Sequence, residues 1–293
     1  MKAFGNYHPL VLMVYYISVM ITAMFIWNPV LQGLALLGGT LFCIMLLKKK
    51  QIISDMLFYV PMFLIIAVTN PLFSHNGITP LFFMNGNPVT LEAVFYGIII
   101  AVMLIAVLLW CKCYTEIMTS DKFLYLFGKI IPKTALILSM AIRFIPLLKR
   151  QMKKVDVVQK TMGLYSSESY LDKCRSKIRV LSAMITWSLE NAMEVSASMK
   201  ARGYGLKGRS SFSLFRFYKY DGLFLGLSIV LLLIVFSGCL SGAAEFFFYP
   251  QISRIKTTIM SLMVYLSYAL LVFLPFIIEA KENLKWNYYR SKI

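Results

Sequence analysis

The chain has 293 residues, of which 59% are hydrophobic and 15% are charged, and its mean hydropathy is +0.72. A soluble domain carries about a quarter charged residues, so this composition excludes an ordinary soluble protein and indicates an integral membrane protein. The formal net charge of +17 would suggest nucleic-acid binding in a soluble chain, but in a membrane protein Lys and Arg gather on the cytoplasmic side. We therefore expect the lipid bilayer as a partner and no nucleic acid.

Four transmembrane helices are predicted in the first part of the chain from its apolar runs, since a bilayer span takes roughly 17–25 mostly apolar residues. The runs cover residues 10–27, 30–47, 56–68 and 94–110. The first run is long for the core of a signal peptide and no A-x-A-like cleavage site follows it, so we expect it to be retained as a helix. Between the third and fourth runs, residues 69–90 are rich in Gly, Pro and Asn and are expected to form a loop.

Two further spans are predicted at residues 223–236 and 259–278. The loop at 69–90 contains no Lys or Arg, whereas the basic residues gather at 48–50, across 112–219 and at 281–292. Six spans with both termini in the cytoplasm place these basic clusters on one side and satisfy the positive-inside rule. We therefore predict an all-α, polytopic membrane protein.

Three regions are predicted along the chain: residues 1–112 with four spans, 113–221 with helices on the cytoplasmic face, and 222–293 with two spans and a cytoplasmic tail. The middle region is basic but strongly apolar, which is typical of amphipathic helices and not of a solvated linker. One helix is expected over residues 133–161, where Pro146 should produce a kink. The alternative is a further span at 135–148, although Arg143 at its centre disfavours burial in lipid.

A second long helix is predicted from residue 171 onward, because apolar residues recur there at steps of three and four and so share one face. These residues are Leu171, Cys174, Ile178, Leu181, Ile185, Leu189, Ala192, Val195 and Met199. Small residues crowd the second half of this helix, which permits a neighbouring helix to pack closely. A polar stretch at 163–169 is expected to join the two helices into a platform on the cytoplasmic face.

The second helix ends at Ala201-Arg202-Gly203, and local chemistry leaves two interpretations of this motif open. Glycine after a helical run is a common C-terminal cap because it adopts the left-handed conformation at low cost, and the helix dipole favours a cation in the last turn. The motif is then only a well-terminated helix. In the second interpretation the tip presents Arg202 to a partner, because the planar guanidinium pairs with carboxylates and backbone carbonyls together.

Five stretches, in order along the chain, resemble motifs of the transmembrane T component of energy-coupling factor (ECF) transporters, the vitamin and metal-ion importers of prokaryotes. They are YHPL at 7–10, NPLFSHNG at 70–77, Thr119-Ser120, AIRFIP at 141–146 and SMKARGY at 198–204. The resemblance covers nearly the whole chain. It implies about six transmembrane helices and two long cytoplasmic coupling helices, with Arg143 and Pro146 as a structural hinge in the first.

The resemblance also implies a use for the tip of the second helix. In that family the two long helices cross, and each tip docks into a groove of one ATP-binding cassette (ABC) ATPase. The role of the tip arginine carries over to Arg202, with Ala201 and Gly203 shaping the tip. The tip would then act as a lever that passes ATPase movement to the membrane.

The first tip departs from the family pattern. The stretch Gln159-Lys160-Thr161-Met162-Gly163 stands where the family has Gln-x-Ala-Arg-Gly, so Met162 replaces the arginine. Three explanations are open: Lys160 substitutes for the arginine, the tip docks mainly by apolar contact, or the two ATPases differ and one accepts a methionine. This departure puts symmetrical coupling in doubt, but not the resemblance.

A non-catalytic coupling subunit of an ATP-driven importer in a prokaryotic cell membrane is therefore expected. Its expected partners are two ABC-type ATPases and a substrate-binding integral membrane S component. No cofactor is expected, and His8 and His75 are too far apart to suggest a metal site. The chain has no G-x-x-x-x-G-K-[ST] loop for ATP and no clustered catalytic groups.

Two other functions remain as alternatives. A stand-alone membrane permease or channel would need polar or ionisable residues that face one another inside the spans, and these spans have almost none. A membrane-anchored scaffold with a basic lipid-binding face would explain the charge, but it would not explain the apolar patterning or the Arg-Gly tip.

Overall fold

The computed structural model describes residues 3–74, 76–84, 87–163, 170–206 and 215–291, so His75 and most of the predicted connection at 163–169 lie outside it. The described residues form nine α-helices, a short 3-10 helix at Phe4–Asn6 and one two-stranded sheet. The helices are α1 Pro9–Phe25, α2 Pro29–Leu46, α3 Lys49–Phe73, α4 Leu91–Ile117, α5 Ser120–Ile130, α6 Pro132–Thr161, α7 Tyr170–Ala201, α8 Lys219–Leu240 and α9 Ile259–Arg290. This architecture confirms the predicted all-α class.

Helices α1 and α2 each begin with proline directly after a capping side chain. His8 Nδ1 accepts a hydrogen bond from the Leu10 N–H at 3.3 Å, and the Asn28 side chain accepts one from the Val30 N–H at 3.0 Å. Proline suits the first helical position because its fixed φ matches the helix and its missing N–H would have no partner there. Asn28 is thus the N-cap of α2, which begins at Pro29 between the first two predicted apolar runs.

Five helices of the described chain are long and apolar enough to cross a membrane: α2, α3, α4, α8 and α9. Helix α1 is also apolar and has 17 residues, the lower end of the length that spans a bilayer. The chain is thus a multi-pass membrane protein, as predicted, with five candidate spans among the described residues and α1 as a shorter apolar helix. Within the described residues α6 is not a candidate span, which removes the support for a further span at 135–148.

Several helices extend beyond the apolar runs from which they were predicted. Helix α3 covers Lys49–Phe73, so residues 69–73 are helical and their assignment to the external loop was wrong. Helix α4 continues to Ile117 and α9 continues to Arg290. Backbone hydrogen bonding continues as long as the local sequence permits a helix, whereas an apolar run ends at the first polar residues.

A short antiparallel hairpin lies in the segment that was predicted to be an irregular loop, with β1 at Pro80–Met84 and β2 at Asn87–Thr90. The sequence concealed these strands because each is very short and each contains proline, which normally argues against a strand. Glu92 fixes the base of the hairpin, since its Oε2 accepts hydrogen bonds from the Thr79 hydroxyl at 2.8 Å and N–H at 3.3 Å. This carboxylate is 2% exposed and has a structural role.

Large aromatic side chains fill the core of the transmembrane helices. Trp110 of α4 is fully buried and donates from Nε1 to the Ala35 carbonyl of α2 at 3.0 Å. Tyr15 of α1 is fully buried as well and donates its hydroxyl to the Leu271 carbonyl of α9 at 2.9 Å. Buried Trp and Tyr need a partner for their polar atoms, and these two bonds supply it across neighbouring helices.

Helix α9 makes two close contacts at glycine residues of its neighbours. A Cβ added to Gly38 of α2 would lie 2.0 Å from Val272 Cγ1, and a Cβ added to Gly238 of α8 would lie 2.1 Å from Val264 Cγ2. No real Cβ occupies such positions, so only glycine permits these helices to approach α9 as closely as they do. Small residues at helix interfaces are typical of membrane proteins, because they let backbones pack closely.

Two buried carboxylates hold the N-terminal residues against this core. Glu279 of α9 accepts hydrogen bonds from the Ala3 N–H at 3.2 Å and the Phe4 N–H at 2.9 Å. Asp221 of α8 accepts one from the His8 N–H at 3.0 Å. Both side chains are 2% exposed or less, and hydrogen bonds to an ionised acceptor are stronger than neutral ones. These acidic residues therefore serve the fold.

The chain divides into two compact units. The first comprises the residues up to Lys122 together with those from Phe215 onward, and the second begins at Phe123 and contains α6 and α7. The two helices agree closely with those predicted at 133–161 and from 171. The division of the chain at residues 112 and 221 into three functional regions stays a prediction.

Candidate functional site

Helices α6 and α7 pack as an antiparallel pair, so their C-terminal ends lie at opposite ends of the pair. Phe144 of α6 stacks on Trp187 of α7, with ring centroids 5.9 Å apart and planes inclined by 4°. Each aromatic residue lies 17 positions from the short connection between the helices, whose facing ends are Thr161 and Tyr170. Phe144 and Trp187 therefore each lie about 26 Å along their helix from this connection. Two helices joined by a short connection can meet at such equal distances only if they run in opposite directions.

Helix α7 ends in a Schellman cap in which Arg202 is the C-cap residue. The Gly203 N–H donates to the Lys200 carbonyl and the Tyr204 N–H donates to the Met199 carbonyl, both at 3.0 Å. These two bonds define the cap and satisfy carbonyls of the last helical turn. They depend on the left-handed conformation of Gly203, which has a φ of +80°. Arg202 is exposed at the tip.

Helix α6 ends with Met162 in the corresponding position. The Gly163 N–H donates to the Lys160 carbonyl at 3.0 Å, and Gly163 has a φ of +74°. Met162 is the C-cap residue and is 71% exposed. The first tip therefore carries an apolar side chain at the position where the second tip carries the Arg202 guanidinium.

The other two residues predicted at the first tip have contacts elsewhere. Lys160 Nζ lies 2.9 Å from Asp156 Oδ2 on the same helix, although an exposed i,i+4 pair stabilises by only about 0.3–0.5 kcal/mol. Gln159 directs its Oε1 into a buried position, where it has no hydrogen-bond partner among the described residues. Met162 is thus the side chain of this motif that the tip presents most openly.

A groove of about 860 Å³ lies between the two helices, with walls from residues 136–150 of α6, residues 191–200 of α7 and Tyr204 beyond the end of α7. The predicted hinge residues Arg143 and Pro146 both line it. Pro146 lies inside α6, which is one helix over Pro132–Thr161, and the kink predicted there stays a prediction. Arg150 and Lys200 also line the groove, so positive charge accompanies its apolar walls.

A stripe of apolar side chains along α7 is exposed. Its members are Leu171, Ile178, Leu181, Ile185 and Leu189, which are 53% to 81% exposed. They belong to the face predicted from the steps of three and four in the sequence. Contiguous exposed apolar side chains on a helix mark an interaction surface or a surface in contact with lipid.

The side chains that α7 does bury lie on nearly the opposite side of the helix, about 150° around its axis from the exposed stripe, on a face that sequence reasoning did not identify. They are Ser176, Val180 and Met184, followed by Trp187 in its stack on Phe144. These residues also recur at steps of four and three, so a signal was present. The longer apolar stripe on the other side of the helix obscured it, and periodicity alone does not tell which of two stripes is packed.

A family model matches most of the chain. The model is that of CbiQ, described as cobalt transport protein, and it covers residues 7–214. The matched segment includes α1 to α7 and therefore both helix tips described above.

Several curated relatives share the name energy-coupling factor transporter transmembrane protein EcfT. The relative from Lactobacillus helveticus is 30% identical over 119 residues, which are 39% of this chain and 43% of the relative. The relative from Listeria innocua is 36% identical over 84 residues, 28% of this chain and 32% of the relative. The relative from Bacillus selenitireducens is 36% identical over 104 residues, 35% of this chain and 36% of the relative. The matches thus span less than half the length of these relatives.

Proposed function

The chain belongs to the CbiQ family of cobalt transport proteins, and on that premise we propose that it is the non-catalytic coupling subunit of an ATP-driven ECF-type importer. The curated relatives are named as transmembrane proteins of energy-coupling factor transporters, and the chain has the multi-pass helices such a subunit needs. It carries no ATP-binding loop of the G-x-x-x-x-G-K-[ST] type, so ATP hydrolysis falls to partner subunits.

One observation carries this proposal: two helices of similar length form an antiparallel pair, and each ends at a glycine of positive φ whose N–H donates to the carbonyl three residues before it. Each cap orders the last turn and holds one side chain, Arg202 or Met162, outward. A pair of ABC-type ATPases would each receive one tip. Because α6 and α7 are in contact through Phe144 and Trp187, a displacement of one tip is passed to the other helix.

Arg202 suits a docking role at the second tip. Its guanidinium donates several hydrogen bonds in a fixed plane and remains charged at every physiological pH. The Met199 and Lys200 carbonyls are already paired within the cap and Arg202 is exposed, so the guanidinium can reach a partner that docks at the tip. Ala201 and Gly203 keep the tip narrow, and Gly203 is the position at which a side chain would strain the backbone.

The first tip docks by apolar contact in this proposal. Met162 is exposed, and methionine adapts to irregular apolar surfaces because its side chain is unbranched and flexible. Lys160 is paired with Asp156 and contributes less. The two ATPase grooves then differ in chemistry, because one accepts a cation and the other a thioether. This asymmetry corresponds to the replacement of the arginine by Met162 in the first motif.

The exposed stripe of α7 provides the surface for a substrate-binding integral membrane S component. Ile178, Leu181 and Ile185 are all more than half exposed, so they offer a continuous apolar face to such a partner. The S component would select the substrate, a vitamin or a metal ion such as cobalt or nickel. The importer would lie in the cell membrane of a prokaryote, with both termini of this chain in the cytoplasm and Arg143 and Pro146 acting as a hinge in α6.

Co-purification tests the proposal directly. The chain is co-expressed with the two ATPases, once unchanged and once as Arg202→Glu. The matched control is Arg179→Glu on the same helix, since Arg179 is exposed but far from the tip. Loss of a docked charge contact costs about 2–5 kcal/mol, so Arg202→Glu should lose one ATPase while the control retains both. Equal retention by all three proteins would refute tip docking, and transport by the chain alone would favour a stand-alone permease.

A further inference from the structure

Two buried cysteines face each other across the contact between α2 and α4. Cys43 lies on α2 and Cys113 on α4, and their thiols are close enough to form a hydrogen bond with each other. Cys43 is 5% exposed and Cys113 is 1% exposed. Neither belongs to the helix tips or to the exposed stripe of α7, so the proposed function leaves this pair of thiols without a use.

The packing of the two helices also brings the cysteine backbones together. A Cβ added to Gly39 of α2 would lie 3.4 Å from Leu109 Cβ of α4. Cys43 lies four residues after Gly39 on α2. Cys113 likewise lies four residues after Leu109, so each cysteine is one turn farther along its helix on the same face. A disulfide needs Cβ atoms about 3.5–4.5 Å apart, which is close to the separation that this contact provides.

Cys43 is the thiol of the pair that a small molecule can reach. It lines a cleft of about 320 Å³ between α2, α3 and α4, whereas Cys113 does not line this cleft. Ile44, Met56 and Val60 also line the cleft and are 50% to 53% exposed, so it opens to the surface of the helices. A small neutral hydroperoxide fits such a space, because a water molecule takes up only about 30 Å³ in the liquid.

We propose that Cys43 and Cys113 form a reversible redox pair, which a hydroperoxide converts to a disulfide between α2 and α4. The Cys43 sulfur attacks the terminal oxygen of the peroxide and the O–O bond breaks. This step gives the Cys43 sulfenic acid, and the thiol proton passes to the departing alkoxide to form an alcohol. The Cys113 sulfur then attacks the Cys43 sulfur, and the hydroxyl group leaves with the Cys113 proton as water.

The two sulfur atoms together lose two electrons, which the O–O bond of the peroxide takes up. Cysteine pairs that oxidise inside cells are usually transient and redox-sensing and seldom permanent cross-links, and the pair is accordingly proposed as reversible. The inference rests on the packing of α2 against α4, so it does not depend on the proposed transport function.

The other three cysteines are placed differently. Cys111 is only two residues from Cys113, but this separation is about 200° around the helix axis. Its thiol instead donates to Met20 Sδ of α1 at 3.5 Å. Cys174 is exposed on α7 in the second compact unit, and Cys239 lies on α8. Oxidation should therefore join one specific pair among the five thiols of the chain.

Counting of free thiols on the full chain in detergent tests the proposal. The parent protein is Cys174→Ser, which removes the exposed thiol most able to join two chains. The parent is treated with tert-butyl hydroperoxide, denatured and alkylated. It should take up two fewer alkyl groups than untreated protein, and peptide mapping should show Cys43 linked to Cys113. Dithiothreitol should restore both groups. Cys43→Ala should abolish the link, and Cys111→Ala is the matched control that should leave it unchanged.

Trapping of sulfenic acid with dimedone tests which thiol reacts first. In Cys113→Ala the sulfenic acid has no resolving partner, so dimedone should label Cys43. In Cys43→Ala, Cys113 should stay unlabelled, and equal labelling of both cysteines would overturn the assigned order. The proposal fails if the oxidised parent shows no link between Cys43 and Cys113, or if Cys111→Ala prevents it. If an alanine variant does not fold, peptide mapping of the oxidised parent still decides the question.

Discussion

Met162 and Arg202 occupy equivalent positions at the ends of two different helices. Each is the C-cap residue of its helix, and each is followed by a glycine with positive φ, +74° at Gly163 and +80° at Gly203. The capping glycines are therefore alike at the two tips, and of the side chains that differ between the two motifs, Met162 against Arg202 is the one that changes the charge of the tip. If the tips dock into two ATPases, that side chain decides the chemistry of each contact.

Met162→Glu tests the apolar docking of the first tip. Burying an exposed methionine side chain contributes about 1.5–3 kcal/mol, so the charged variant should weaken retention of one ATPase by roughly ten- to a hundredfold, as measured by co-purification. Lys160→Ala should have little effect, because Lys160 is paired with Asp156. Met152→Glu is the control, since Met152 is also exposed on α6 but far from the tip. A large loss with Lys160→Ala alone would show that the lysine substitutes for arginine.

Gly203→Ala tests the backbone of the second tip. A left-handed conformation costs a non-glycine residue about 1–2 kcal/mol, and the added Cβ would lie 3.0 Å from Leu206 Cδ1. Hydrogen exchange of the Tyr204 amide should accelerate by about 5- to 30-fold, with little change in global unfolding. Gly226→Ala in α8, where a Cβ has open space, should stabilise its helix slightly. Unchanged exchange at Tyr204 would mean that the cap tolerates a side chain.

Gly38→Ala tests the close contact between α2 and α9. The new Cβ would meet Val272 at 2.0 Å, and overpacking of this kind costs about 1–3 kcal/mol, measured as a lower midpoint of thermal unfolding in detergent. Val272→Ala should relieve part of that loss in the double variant, which is a coupling between contacting residues. Gly33→Ala on the same helix has no atom within 4 Å and should be tolerated. Additive effects of the two substitutions would contradict the contact.

Glu279→Ala tests the anchoring of the N-terminal residues. The substitution removes the acceptor of the Ala3 and Phe4 N–H groups, and an unsatisfied buried donor costs about 1–3 kcal/mol. Stability towards denaturant should fall accordingly. Glu282→Ala is the matched control on the same helix, because Glu282 forms an exposed pair with Lys285, worth less than about 1 kcal/mol. Similar losses in both variants would remove the structural role assigned to Glu279.

Cys174 offers a natural probe of orientation. It is exposed on α7, whereas Cys43 and Cys113 are buried. If α7 lies on the cytoplasmic face, a membrane-impermeant maleimide should label Cys174 in inverted vesicles and not in intact cells. Ile78→Cys, at an exposed position before the hairpin, should be labelled from outside. Labelling of Cys174 in intact cells would reverse the predicted orientation.

The parts of the fold that follow from local sequence were predictable. The bounds of α6 follow from an apolar start near Pro132 and a glycine at 163, and the cap at Gly203 follows from the residue itself. The hairpin at 80–90 was not predictable, because Pro80 and Pro88 in such short strands outweigh their apolar neighbours. Its stability comes from contacts such as that of Thr79 with Glu92, which no local pattern records.

The candidate site also divides into features that local sequence predicts and features that depend on contacts between distant residues. The sequence indicates both tips and the exposed stripe of α7, since caps and periodicity are local properties. It does not indicate that Val180 and Met184 are buried, because burial depends on which parts of the folded chain lie beside them. The equivalence of Met162 and Arg202 is visible in the sequence as motif spacing and in the structure as cap geometry.

The two valine contacts of α9 have a mechanical consequence. Val264 and Val272 are eight residues apart, which places them about 12 Å apart along the axis and about 80° apart around it. Each inserts where its neighbour has only glycine, at Gly238 and Gly38. Helix α9 is therefore held at two levels along its axis and on two of its sides. It can neither slide nor rotate unless Val264 or Val272 loses its close contact with glycine. Helices α2, α8 and α9 must then move as one body under load.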